Sequence, residues 1–345
     1  MEQRSTVYNN ITSPEKIAGI NGENITLMND FLEYLESIGR AESTIKNYKA
    51  DLLVFFCWCE DNLNNKYFVE LTKREISRFQ NHALNIWGWS PNRLRTVKST
   101  LSSLSNFIEN ILDDEIKDFK PIVRKIESPV KELVREKSVF LMQDIIEIAD
   151  KLVATGEYQK ACALMLAAAS GRRKSELCRF KVSFFDDNNI LYGSLYKSPE
   201  KIRTKGRGKQ GKQLNVYVLV KPFKPYFDLW MHERERLGIK SEWLLVNYDK
   251  NTGLTEPIVP STLDSWAGTI KSMCKMPFYW HSLRHMFVSE LQRSGIPDGV
   301  IKDIIGWNDL SMISVYSDLG TDEQIGQYFD ESGIKNVEKR KLSNL

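Results

Sequence analysis

The sequence predicts a mainly α-helical chain with a small antiparallel sheet, an α+β architecture in two domains. Three observations carry that expectation. Helical apolar periodicity, opened by recognisable caps, recurs through roughly the first hundred residues. It lapses in a basic, proline-punctuated stretch that ends near residue 137. Strand-like alternation appears only between about residues 184 and 220, with helical patterns on both sides.

At 345 residues the chain is long enough for two separate cores. A hydrophobic content of 42% and a charged content of 27% are those of an ordinary globular protein. The net charge of +3 is small, so any basic surface must be local. Five cysteines in a chain of this size make no disulfide framework. Cys57 and Cys59 sit inside an apolar helix and read as core thiols in a reducing compartment. No signal peptide and no twenty-residue apolar span is visible, so a soluble, cytoplasmic protein with no membrane partner is expected.

Residues 1–22 are polar and read as a flexible arm. Residues 23–115 read as a compact all-helical domain. Ile25 to Ile38 forms its first helix, closed by Gly39, and Ser43 caps a second with a wide apolar stripe. Thr72-Lys73-Arg74-Glu75 is a capping box for a third. Ser90-Pro91 opens a fourth, reaching about Leu112. That helix carries Arg93, Arg95, Lys98, Ser99, Ser102 and Ser103, a basic and hydroxyl-rich face suited to phosphate. Residues 116–137 read as a linker, and 138–345 as the second domain. Ser138 caps a helix to about Val153, and Tyr158 to Ala169 is apolar enough to be a central buried helix. Ser170-Gly171 ends it, and Arg172, Arg173, Lys174, Ser175 and Glu176 open the next. Adjacent cations there need a carboxylate or an anion to compensate them.

Ile190 to Tyr196 and Leu214 to Val220 read as two strands. Between them Lys197, Lys201, Arg203, Lys205, Arg207, Lys209 and Lys212 face one acid, Glu200, and three glycines loosen the segment. A basic hairpin tip of that kind can reach a phosphate backbone. Pro225 to Leu237 and Ser261 to Met273 read as helices. The stretch from His281 to Tyr316 then places His281 and Arg284 one helical turn apart, with Leu283, Phe287, Val288 and Leu291 as the apolar side. Ser294 to Pro297 breaks that helix, Asp298 to Ile305 makes another ended by Gly306, and Trp307 and Tyr316 follow. Imidazole, guanidinium, indole and phenol on consecutive helices suit a phosphodiester: donors for its oxygens, and a phenol that can attack phosphorus. A zinc reading of His281 and His285 fails because Ser282 stands where a metalloprotease helix has Glu.

Ser170-Gly171-Arg172-Arg173-Lys174-Ser175-Glu176-Leu177 resembles the TGLRISEL motif of the tyrosine recombinases, the phage integrase family. His281-Ser282-Leu283-Arg284-His285 resembles that family's HxLRH motif, and Gly306-Trp307 its LGH or GW step. Tyr316 is similar in position to its nucleophile, and Thr204-Lys205-Gly206 to the segment bearing its lysine. The resemblance spans nearly the whole chain. It is nearest to the Cre-like members, which also carry Trp where most others have a second His.

The resemblance implies a helical, SAM-like core-binding domain and a catalytic domain closing as a C-shaped clamp on duplex DNA. It implies that Arg173 and Arg284 clamp the scissile phosphate, with Glu176 orienting Arg173 or a neighbouring donor. His281 and Trp307 add donors, and His281 can take the phenol proton. Tyr316 attacks phosphorus to give a 3′-phosphotyrosyl link, and Lys205 protonates the leaving 5′-oxygen. Arg172 competes with Arg173, though alignment favours Arg173; Lys209 and Lys212 compete with Lys205. DNA contacts are expected from Arg93, Arg95 and Lys98, and from Lys201, Arg203, Arg207, Lys209 and Lys212. Neither a metal nor a nucleotide cofactor is implied.

The implied activity is site-specific recombination by a homotetramer on two duplex sites, in the cytoplasm at the nucleoid. A topoisomerase-like relaxing enzyme and a catalytically silent DNA binder are the alternatives. Residues 321–330 read as a helix opened by the capping box Thr321-Asp322-Glu323-Gln324, with Ile325, Tyr328 and Phe329 on one stripe. The resemblance implies that it docks into a neighbouring subunit.

Overall fold

The structure, a computed structural model, describes residues 11–132, 139–206, 211–249 and 251–320, together with Glu323, Gly326 and the backbone at 329–330 and 333–334. The described residues up to 132 form one compact unit, and 139–205 with those from 211 onward form another.

The first unit is all helical: α1 (Pro14–Gly19), α2 (Gly22–Ser37), α3 (Glu42–Asn62), α4 (Lys73–Asn85) and α5 (Pro91–Ile111). The polar stretch expected to be an arm through residue 22 is ordered by its own caps from Ile11 onward. Ser13 accepts from the Lys16 N–H, Asn65 Nδ2 donates to the Gly19 carbonyl at 2.6 Å, and Ile11 and Ile20 are buried. Ser43 does not cap α3; Ala41 stands at that position and supplies no side-chain bond. The Thr72–Glu75 capping box forms reciprocally, and Ser90 with Pro91 opens α5 as expected. Aromatic rings fill the core, with Phe55 and Phe79 edge to face at 4.9 Å. Cys57 and Cys59 are wholly buried there, and burial pushes the Cys57 thiol up to about 11.

The segment expected as linker from residue 116 belongs to this unit as far as it is described. Val123 is buried in its core, with Ile116, Phe119, Ile122 and Ile126 packed beside it. Residues 126–132 then run antiparallel to α5 as a strap. Lys98 Nζ donates to the Ile126 and Glu127 carbonyls at 3.0 Å each. Arg95 donates to the Pro129 carbonyl at 2.9 Å and Asn92 to that of Glu132 at 2.7 Å. Apolar periodicity lapses in a strap because its backbone carbonyls, not its side chains, make the attachment.

The second unit is built around α7 (Tyr158–Ser170), buried from Ala161 to Ser170. It packs against α6 (Met142–Ala154), α9 (Val220–Leu237) and α11 (Ser282–Arg293). Helix α6 opens at Leu141, whose N–H donates to Asp144, and Ser138 lies outside the described residues. The remaining helices are α8 (Lys174–Leu177), α10 (Pro260–Lys271), α12 (Asp298–Ile305) and α13 (Met312–Tyr316). Helix α9 starts at Val220, five residues before the expected start, because Pro222 falls where helical N–H groups have no intrahelical partner.

The strands differ from the expected pair. Ile190 to Tyr196 is a hairpin, β1 (Ile190–Leu191) and β2 (Leu195–Lys197), turning through Tyr192 and Gly193 at φ 54° and 71°. Leu214 to Val220 is also divided. Lys212–Leu214 (β4) pairs with Ile202–Thr204 (β3), and Tyr217–Leu219 (β5) pairs with β2. Ser198 causes the division: its Oγ accepts from Val216 N–H at 2.9 Å and its carbonyl from Asn215 Nδ2 at 2.7 Å. A further antiparallel pair, Val246–Tyr248 (β6) with Thr255–Pro257 (β7), had no distinct sequence signal.

The expected helix over residues 321–330 is corrected at its end. Glu323 and Gly326 are helical, but Phe329–Asp330 (β8) pairs antiparallel with Gly333–Ile334 (β9). Thr321, Ile325 and Tyr328 lie outside the described residues. No helix among the described residues is long and apolar enough to cross a membrane.

Candidate active site

Helix α11 begins just after His281 and carries Arg284 in its first turn. Leu283, Phe287, Val288 and Leu291 are buried as expected, but so is Arg284, at 0% exposure. Its Nη1 donates to the Gly171 carbonyl at 2.9 Å. Its guanidinium carbon lies 5.3 Å from the ring centres of both Trp307 and Tyr316. Burial, then the Arg173 charge, holds it down at about 10, so it remains a cation at neutral pH. Arg284 Nε and Nη2, and Trp307 Nε1, are buried with no hydrogen-bond partner among the described residues. Such donors each cost about 1–3 kcal/mol when left unmet. A planar cation and an indole N–H with donors to spare make a receptor for tetrahedral oxyanions.

Tyr316 closes α13 and is packed among aromatic rings. His281 lies 5.3 Å away, His285 4.7 Å and Trp307 4.9 Å, centre to centre. The short helices α12 and α13 deliver Trp307 and Tyr316 to the side of α11 that holds His281 and Arg284. Among the described residues, no group of three or more His, Cys, Asp or Glu could hold a metal ion.

The two adjacent arginines separate cleanly. Gly171 ends α7 at φ 59°, where an added Cβ would lie 2.5 Å from Phe287 Cδ1, so only glycine makes this turn. Arg172 turns inward, is 2% exposed, and donates to the carbonyls of Ile304 and Ile305 at the end of α12. Arg173 stays half-buried at the start of α8. Its Nη1 donates to Glu176 Oε1 at 3.1 Å, and its backbone N–H to Oε2 at 3.2 Å. Glu176 is 1% exposed, so the carboxylate is a fixed brace for that arginine.

His281 lies within electrostatic reach of these groups. Loss of hydration, then the positive charge of His285, Arg284, Arg173 and Lys205, pushes its imidazole down to about 4, although the residue keeps an exposed outer face. The unfolded chain therefore binds more protons at His281 between pH of about 4 and the ordinary imidazole value. Stability gained from this group rises with pH across that window and is lost as pH falls through it. His281→Gln is expected to flatten the pH dependence of urea stability between about pH 4.5 and 6.5. An unchanged slope would show that the imidazole is not depressed.

Lys205 directly follows β3 and is exposed. Lys201 and Arg203 are exposed too, as a DNA contact requires, and the Arg203 carbonyl accepts from Arg179. Arg207 and Lys209 lie outside the described residues. Lys212 does not point into open solvent: its Nζ donates to the Gly306 carbonyl at 3.0 Å and to Asn308 Oδ1 at 2.6 Å.

The face expected on α5 is corrected. Lys98 is 5% exposed, and its ammonium is taken by Gln80 Oε1 and the two strap carbonyls. Arg93 pairs with buried Asp51 at 2.6 Å and lies over Trp89, while Arg95 holds Pro129. These side chains are spent on the fold because each meets an acceptor brought from a distant segment. Arg95 and Lys98 also line, with Ser99, Ser102, Arg124 and Ser128, a cleft of ≈ 250 Å³, and no acid lines it among the described residues.

Sequence reasoning assigned no role to His285 or Asp318. His285 is tilted 32° against Tyr316, and its Nδ1 lies 3.8 Å from the buried Asp318 carboxylate. The i, i+4 spacing from His281 was the available signal for His285. Asp318, in the turn after α13, gave none.

The phage integrase family pattern matches residues 139–323, and the phage integrase N-terminal SAM-like domain matches 27–118. The SPbeta prophage-derived recombinase-like protein YomM of Bacillus subtilis is 29% identical over 215 residues, 61% of this chain and 62% of that protein. A tyrosine recombinase of Thermosipho africanus is 25% identical over 303 residues, 85% of this chain and 95% of that protein. Among solved structures, a lambda integrase dimer bound to a COC′ core site shares the fold at TM-score 0.62 and 18% identity, over 90% of this chain and 99% of that one. The Tn1549 transposon integrase with circular intermediate DNA does so at TM-score 0.61 and 16% identity, over 87% and 97%. With its catalytic pattern covering more than half of the sequence, the chain belongs to the phage integrase family and is a tyrosine recombinase, a DNA strand-transferring enzyme.

Proposed function

We propose that the protein cleaves and rejoins duplex DNA at a specific site through a 3′-phosphotyrosyl intermediate on Tyr316. The observation that supports this most is the buried, half-satisfied guanidinium of Arg284 stacked on both Trp307 and Tyr316. A scissile phosphate beside them would take up the spare donors of Arg284 and Trp307, and Arg173, held by Glu176, supplies a second guanidinium. His281, neutral at physiological pH, can accept the phenol proton as the oxygen attacks phosphorus. The P–O bond to the 5′-oxygen breaks, and Lys205 protonates that oxygen. Attack by a 5′-hydroxyl on the phosphotyrosyl link reverses the steps. Because the link conserves the diester's energy, resealing needs no nucleotide.

The cleft beside α5, with Arg95, Arg124 and its serine hydroxyls, suits a backbone phosphate. Lys201 and Arg203 add backbone contacts. Strand exchange between two duplexes calls for four subunits. Such an enzyme works in the cytoplasm, on the nucleoid.

The proton-donor assignment has a direct test. Lys205→Ala is expected to cleave a nicked suicide substrate about 10²–10³-fold more slowly. A 5′-bridging phosphorothiolate should restore the rate, since sulfur leaves without a proton. Lack of rescue in Lys205→Ala would remove Lys205 from that role.

A further inference from the structure

Lys212 belongs by sequence to the basic run between the strands, but its surroundings set it apart. Its ammonium bonds on both sides of Trp307, to the Gly306 carbonyl and to the side chain of Asn308. The first of these bonds caps α12, where a cation is favoured by the helix dipole. At its other end Lys212 is a strand residue. It pairs with Thr204 across the β3–β4 ladder, and the Thr204 hydroxyl, itself buried, donates to the Lys212 carbonyl at 2.9 Å. Lys205 is the next residue after Thr204.

A second contact makes the same junction. Gly306 has φ 78°, and a Cβ there would lie 2.2 Å from Leu214 Cδ1. Leu214, two residues beyond Lys212, thus fills the space that any other residue at position 306 would occupy. Strand β4 is fitted to the α12 turn by one apolar contact and two hydrogen bonds.

We propose that Lys212 is a positioning residue that couples Lys205 to the Trp307 side of the active site. The short covalent and hydrogen-bonded path Trp307, Gly306 and Asn308, Lys212, Thr204, Lys205 joins a phosphate donor to the proton donor for the leaving oxygen. With two of its three N–H groups committed to the turn, Lys212 is neither the leaving-group acid nor a free phosphate contact. Its role rests on the reading of Lys205 given above.

Lys212→Met keeps the aliphatic stem and removes the donors. Half-site affinity, its salt dependence and thermal stability should stay close to those of the unaltered protein. Cleavage of an ordinary suicide substrate should slow about 10–100-fold, and the 5′-bridging phosphorothiolate should restore it, because the defect lies in presenting the proton. In a Lys205→Ala background, Lys212→Met should add almost nothing. Asn308→Ala, which removes one acceptor and leaves Lys212 in place, should show the same sulfur rescue on a smaller loss.

Weakened binding with a salt slope reduced by about one, and no sulfur rescue, would make Lys212 a phosphate contact and overturn the proposal. Lys205→Ala cleaving normally while Lys212→Met is rescued would make Lys212 the acid itself, which also overturns it. If Lys205→Ala is slow but not rescued by sulfur, the reading of Lys205 fails in that arm alone and the coupling falls with it. Should Lys212→Met melt early, Asn308→Ala decides by the same rescue.

Discussion

Tyr316→Phe is expected to bind its DNA site as the unaltered protein does and to form no covalent protein–DNA complex. The phenyl ring preserves the packing against His281, His285 and Trp307, and the cation–π contact with Arg284. Only the attacking oxygen is lost. Cleavage should drop by at least roughly 10⁴-fold, the scale on which a missing nucleophile shows, with thermal stability nearly unchanged. Denaturing gels of a nicked suicide substrate read the result. A covalent band from Tyr316→Phe would assign the nucleophile elsewhere.

Arg172 and Arg173 are expected to fail in opposite ways. Arg173→Lys leaves a cation for Glu176 but removes the planar fork, so cleavage should fall about 10²–10³-fold with little change in stability. Arg172→Leu should alter cleavage less than about tenfold. Its effect should appear on unfolding, where the carbonyls of Ile304 and Ile305 lose their donor at a cost of about 1–3 kcal/mol. Relief from burying a guanidinium offsets part of that. Suicide-substrate cleavage and urea titration of both variants check the pair, and a larger cleavage defect in Arg172→Leu would reverse the assignment.

Much of this was legible from residue types and spacing. The helices of the first unit declared themselves through Thr72, Glu75, Ser90 and Pro91, because caps act locally and their signals are local. Asp298 to Ile305 and its Gly306 stop were legible for the same reason. The convergence of His281, Arg284, Trp307 and Tyr316 followed from the order of short helices and tight turns. What escaped notice depended on partners far along the chain. Lys98 looks like a phosphate ligand on a helical wheel, and only the return of residues 126–127 shows that its ammonium is taken. Ser198 gives no sign in one dimension that it will divide the segment Leu214 to Val220 between two strands. Neither the burial of Arg284 nor the place of Asp318 beside His285 has a sequence pattern of its own.

The strap along α5 sets what can be inherited as a module. A domain exchange between relatives that joined the chains at residue 115 would place a foreign segment over Asn92, Arg95 and Lys98. The carbonyls of Ile126, Glu127, Pro129 and Glu132 that answer those donors would then come from a different ancestor. A junction after Glu132 keeps both halves of that attachment together. In this chain helix α5 and residues 116–132 therefore make one heritable block, and the seam along which its domains can be exchanged lies beyond it.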